Sequence, residues 1–193
     1  MARCCRGLAG DHFVKQNLAP QKLAQAAEKA FREGNYLEAV AGFEAAATAY
    51  QEQGEMILAA EMWNNCGVAF LQLERGEEAL KVIQPTLPIL ESEGDLERLG
   101  IAYGNLASAL EVCSRYEEAQ EAYLRSAELL EKCGKAELRL HALKALSQLQ
   151  LKQGKQLQAL ATFQAALEDA PRLSLQQKAL KKLMEIPWKL LPK

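Results

Sequence analysis

Asn65 and Asn105 stand 40 residues apart, each two positions after a large aromatic residue, Trp63 and Tyr103. A carboxamide both donates and accepts, so amides repeated in register can hold an extended backbone without reading its side chains. The competing reading is that an asparagine on an exposed helix face simply meets water. Recurrence in register favours the first, because asparagine is a mediocre helix former. Residues suited to catalysis are sparse by comparison. His12 and His141 are the only histidines, and a histidine at such a place is more often a surface or groove residue than a general base. No nucleophile elbow, phosphate-cradling glycine loop or zinc-type histidine pair occurs. The pairs Glu77–Glu78 and Glu117–Glu118 fall at expected helix starts, where carboxylates meet the positive end of the helix dipole. A structural role accounts for them.

The five cysteines, Cys4, Cys5, Cys66, Cys113 and Cys133, show neither metal-ligand spacing nor a small secreted framework. Their odd number points to reduced thiols in a cytosol. Cys66 and Cys113 lie among apolar neighbours and read as packing residues. The expectation is therefore a cytoplasmic protein that is not an enzyme and uses no metal or cofactor. Net charge is −2 with a pI near 5.8, so no general pull toward nucleic acid exists. No apolar run reaches the length of a membrane span.

Whatever positions the asparagines must be helical and repeated. Much of the 49% hydrophobic content is Ala and Leu, which lose little on entering a helix. Ala39, Ala79, Ala119 and Ala159 recur at intervals of 40. Four residues after each stands a large side chain: Phe43, Ile83, Tyr123 and Phe163. Three further on come the small residues Ala46, Thr86, Ser126 and Ala166. These spacings fall on one helical stripe, where small residues admit a neighbouring helix and the large one fills the gap. Gly54, Gly94 and Gly134 keep the same interval and mark helix ends, since glycine adopts the left-handed C′ conformation cheaply.

These columns resemble the tetratricopeptide repeat. Gly34-Asn35-Tyr36 with Ala39, Phe43 and Ala46 is similar to the second half of such a unit, as is Arg115-Tyr116 with Ala119, Tyr123 and Ser126. Trp63, Cys66, Gly67 and Phe70, and then Tyr103, Leu106, Ala107 and Leu110, are similar to first helices. The units are longer than the usual ~34 residues and resemble those of kinesin light chains and spindle-orientation adaptors. The resemblance implies an all-α, right-handed α-solenoid of four antiparallel helix pairs plus a C-terminal capping helix. Residues 1–19 form an N-terminal segment, 20–171 the repeats (about 20–59, 60–99, 100–139 and 140–171), and 172–193 the cap and tail. The helices expected are 20–33, 36–52, 56–73, 76–92, 95–113, 116–132, 136–153 and 156–169, with a cap over 174–191 that Ser174 could start. Pro85 and Pro88 are expected to kink or break the helix over 76–92. Ala26 and Ala27, where bulkier anchors often stand, suggest looser packing in the first unit.

The resemblance also implies a concave groove lined by first helices, in which an asparagine column grips peptide main chain. Its lining is expected to comprise Gln25, Glu28, Asn65, Val68, Gln72, Asn105, Ser108, Val112, His141, Lys144 and Gln148. The partner would be a protein or peptide. A second reading is self-association, in which the apolar residues Ile186, Trp188, Leu190 and Leu191 join copies of the chain. Pro187 interrupts that stretch, which argues against a membrane-surface helix.

Overall fold

The computed structural model describes residues 19–168. Over these residues the fold is all-α, with helices paired in a repeat: α1 (Pro20–Arg32), α2 (Tyr36–Glu52), α3 (Met56–Gln72), α4 (Gly76–Ile83), α5 (Thr86–Ser92), α6 (Leu96–Val112), α7 (Tyr116–Lys132), α8 (Ala136–Lys152) and α9 (Gln156–Glu168). His12, the expected cap over 174–191 and the tail residues Ile186, Trp188, Leu190 and Leu191 lie outside the described residues.

The helix expected over 76–92 is broken into α4 and α5. Pro85 and Pro88 have no N–H to return to the carbonyls four residues back, and each ring crowds the preceding turn. Buried Thr86 repairs part of the loss, since its Oγ1 donates to the Ile83 carbonyl at 2.7 Å.

Every other turn is closed by a residue with positive φ. Gly54, Gly94 and Gly134 serve between pairs, and Gly34, Glu74, Ser114 and Gly154 within pairs. In the within-pair turns the next N–H reaches back across the helix end, as from Asn35 to Ala30 at 2.9 Å and from Arg115 to Leu110 at 2.8 Å, the hydrogen bond of a Schellman end. Glu74 and Ser114 hold φ of 58° and 60° in a conformation that costs a side-chain-bearing residue ~1–2 kcal/mol. Against that stands the extra chain entropy glycine loses on folding, ~0.5–1 kcal/mol. Glu74→Gly and Ser114→Gly are each expected to raise stability by about 0.5–1 kcal/mol, measurable as a shift in the urea midpoint. A decrease would show that local contacts outweigh the strain.

The chain divides into two compact units, Met1–Glu93 and Gly94–Lys193. In the first, α3 packs against both α2 and α4. Ala39, Ala46, Ala60, Ala79 and Ile83 are sealed from solvent. The expectation of loose packing at Ala27 is reversed. A methyl built on Gly42 would stand 2.7 Å from Ala27 Cβ, so α1 and α2 approach closely because both residues are small. In the second unit α7 packs against α6 and α8, and α8 against α9. Its core includes Leu130, Leu143 and Ala166. Gly100 lies against Leu130, and the Ser126 hydroxyl donates to the Gly100 carbonyl at 2.7 Å. The small-residue column thus sets helix spacing in both units.

Candidate partner-binding surface

In the first unit, Glu28 on α1 and Asn65 and Val68 on α3 share one cavity of about 190 Å³ with Phe31, Arg32 and Phe43. Phe43 is buried, and Phe31 meets Tyr36 edge-on with centroids 5.4 Å apart, so the aromatic wall is fixed. Glu28 and Arg32 approach at 3.8 Å with both side chains largely exposed, an ion pair of little energetic weight. Asn65 is half-buried, and its carboxamide makes no hydrogen bond among the described residues. Gln25 and Gln72 are exposed and stand outside this lining.

In the second unit, Asn105 and Ser108 on α6 and His141 on α8 share a cavity of about 200 Å³ with Ile101, Tyr123 and Leu138. The Asn105 amide likewise has no partner among the described residues. Ser108 is held in place. Its hydroxyl lies 3.1 Å from both the Gly104 carbonyl and the Tyr123 hydroxyl and shares its one proton between them. Tyr123 donates in turn to Glu111 at 3.4 Å, and Lys152 bonds the other Glu111 oxygen at 2.5 Å. Burial pushes the Tyr123 phenol up to about 12, with the Ser108 bond opposing and the Glu111 charge adding to the rise. The phenol therefore serves as a hydroxyl at neutral pH. The Glu111 carboxylate holds the Lys152 ammonium above its ordinary range.

Lys144 and Gln148 line a separate cavity of about 430 Å³ with Leu151, Leu160 and Phe163. Val112 is exposed and lines none of these. The sequence reading missed Phe31, Arg32 and Leu138, and it treated Phe43 and Tyr123 only as packing residues. The 40-residue column shared by Phe43 and Tyr123 was the available signal, since both reach a cavity beside a first helix. Asn64, next to Asn65, is buried with an Oδ1 that lacks a hydrogen-bond partner, a feature no motif announces.

Cys66 is fully buried. Burial first, and then the Glu44 charge, pushes its thiol up to about 12, so it is a packing residue and an inert one. Among the described residues no group of His, Cys, Asp or Glu is placed to hold a metal, and no helix is long and apolar enough to cross a membrane.

Helix pairs closed by left-handed turns, with small residues at their crossings and polar side chains on first helices, define the class as an all-α helical repeat. Residues 98–172 match the tetratricopeptide repeat family model. Among solved structures, aspartyl phosphate phosphatase F from Bacillus subtilis matches with a TM-score of 0.72 at 18% identity, over 84% of this chain and 42% of that one. The chain therefore spans less than half the length of that relative, and at this identity the likeness establishes the fold alone. Weaker matches are BtubC (BKLC) from P. vanneervenii, with TM-score 0.49, 14% identity, and 79% and 70% coverage of the two chains, and MamA protein, with 0.45, 16%, and 90% and 98%. No curated protein matches the chain in sequence.

Proposed function

We propose that this chain is a non-catalytic cytoplasmic interaction module that holds a peptide or helical segment of a partner protein against the first helices of its pairs. One observation carries the reading. Asn65 and Asn105 occupy the same repeat position, and each presents an unengaged carboxamide beside a cavity with apolar walls. An amide so placed can donate to and accept from the backbone of a bound segment, while the cavities take side chains. Repeat arrays commonly use such surfaces for binding, and helical or extended segments are their usual ligands.

The test is capture from a native cytosolic extract by the wild-type chain and by Asn65→Ala/Asn105→Ala. At ~0.5–1.5 kcal/mol for each hydrogen bond lost, four such bonds are worth about 2–6 kcal/mol, or roughly 30- to 20,000-fold in affinity. A protein retained only by the wild type, with helicity unchanged, supports the reading. Equal retention by both sinks the amide column.

A second reading, self-association through the apolar tail, draws support from α8 and α9. Leu151, Leu157 and Leu160 are exposed there, too apolar a set for a face that meets only water. It predicts a solution mass above the 21.3 kDa of one chain, falling to that of a monomer once the residues after Pro187 are removed.

A further inference from the structure

The first unit holds another cavity that partner capture does not use. Its volume is about 310 Å³, and its walls include Met56 and Trp63 of α3, Val82 of α4 and Ile89 of α5. Trp63 and Asn65 are two residues apart, about 200° around a helix, so this cavity and the one at Asn65 lie on different faces of α3. The break at Pro85, itself part of the lining, brings side chains from two separate helices into one wall.

The polar side chains of the lining are Gln51, Lys81 and Thr86, and the Thr86 hydroxyl is already committed to the Ile83 carbonyl. Lys81 forms no direct ion pair among the described residues, although its charge reaches the Glu78 carboxylate one turn back on α4, and neither the Gln51 amide nor the Trp63 indole N–H has a hydrogen-bond partner there. No carboxylate contributes to the lining. An apolar chamber with a cation and two further N–H donors complements a molecule with an apolar body and an anionic head. Small-molecule sites run from ~300 to ~1,000 Å³, so this one suits a ligand near the lower limit.

We propose that this cavity binds a small amphiphilic carboxylate, its apolar body against Trp63, Val82 and Ile89 and its head group against Lys81. The site rests on residues other than those of the capture surface, and either can fail without the other.

The experiment uses the full chain carrying Trp188→Phe, which leaves Trp63 as the single emitter of the two tryptophans. Octanoate and octanol are titrated separately while Trp63 fluorescence is followed. Octanoate is expected to give a saturable change and to bind about three- to fivefold more tightly than octanol, the preference an exposed ion pair supplies. Lys81→Gln should abolish that preference and leave octanol binding unchanged. Val82→Phe should weaken both ligands at least tenfold by filling the chamber. An absent or non-saturating response overturns the site, as does a preference for octanoate that survives in Lys81→Gln. Lys81 is exposed, so its replacement tests the head-group contact without disturbing the core. Equal binding of octanoate and octanol by the wild type would overturn the assignment of a carboxylate ligand.

Discussion

Gly67→Ala and Ile83→Ala are each expected to destabilise the first unit, by about 1–2 and 3–4 kcal/mol, and the double variant to lose clearly less than their sum. A Cβ at position 67 would sit 2.4 Å from Ile83 Cγ1 and 2.6 Å from its Cδ1. Ile83 is wholly buried, so at these distances the clash falls in the upper part, ~2–3 kcal/mol, of the range for overpacking. Better helix propensity returns ~1 kcal/mol of that. Ile83→Ala removes the same atoms and leaves a void, at the ~2–5 kcal/mol typical of large-to-small changes in a core. In the double variant the new methyl stands in the vacated space. A coupling of about 1–2 kcal/mol follows, within the range for residues in contact. Urea unfolding followed by circular dichroism measures all three variants. Strict additivity would mean that α3 and α4 do not meet through this pair.

What the sequence disclosed here is what local chemistry determines. The proline break of 76–92 was legible because a missing N–H acts wherever it stands. The Ala39, Phe43 and Ala46 stripe was legible because a helix repeats its faces at fixed spacing. The left-handed residues Glu74 and Ser114 were not announced, since neither is glycine. Only their place in the 40-residue series beside Gly34 and Gly154 marks them. Ala27 misled because a small residue was taken as absent packing. Its effect depends on what faces it, and it faces Gly42. Asn64 and Asn65 differ by a single step of about 100° around α3, which sends one into the interior and leaves the other at a cavity. No propensity separates two adjacent asparagines; only the neighbouring helices do.

The candidate surface was legible to the same degree. Column spacing brought Glu28, Asn65 and Val68 to one cavity and Asn105, Ser108 and His141 to another. Gln25, Gln72 and Val112 line neither cavity and stand about one turn from the nearest lining residue, Glu28, Val68 and Ser108 respectively. The fixed members of each site came from second helices. Phe43 and Tyr123 are buried by the repeat packing and still reach the cavities, so the residue that spaces the helices also shapes what a partner would meet. In the second unit this joins stability to the site, because Tyr123 holds Ser108 and Glu111 holds Tyr123.

Gly42→Val should show the same dependence from the other side, with a loss of about 3 kcal/mol or more. The added Cβ would lie 2.7 Å from Ala27 Cβ and 3.2 Å from Ala27 Cα. At Gly67 the obstacle is a side chain that a mutation can trim. At Gly42 it includes backbone, so α1 has to move away from α2, and overpacking costs reach or exceed ~3 kcal/mol when a backbone must shift. Ala27→Gly removes only the nearer atom and is expected to rescue the variant in part, less its own helix-propensity cost of ~1 kcal/mol. Gly104→Ala is the control, since its nearest contact is the Ser126 hydroxyl at 3.2 Å, which can yield by a few tenths of an ångström. Because α1 supplies Glu28, Phe31 and Arg32 to the cavity at Asn65, its displacement should weaken partner capture as well as lower the urea midpoint. Amide hydrogen exchange would show α1 losing protection first. Unchanged exchange in α1 together with a lowered midpoint would place the strain elsewhere and detach the cavity from the Ala27–Gly42 contact.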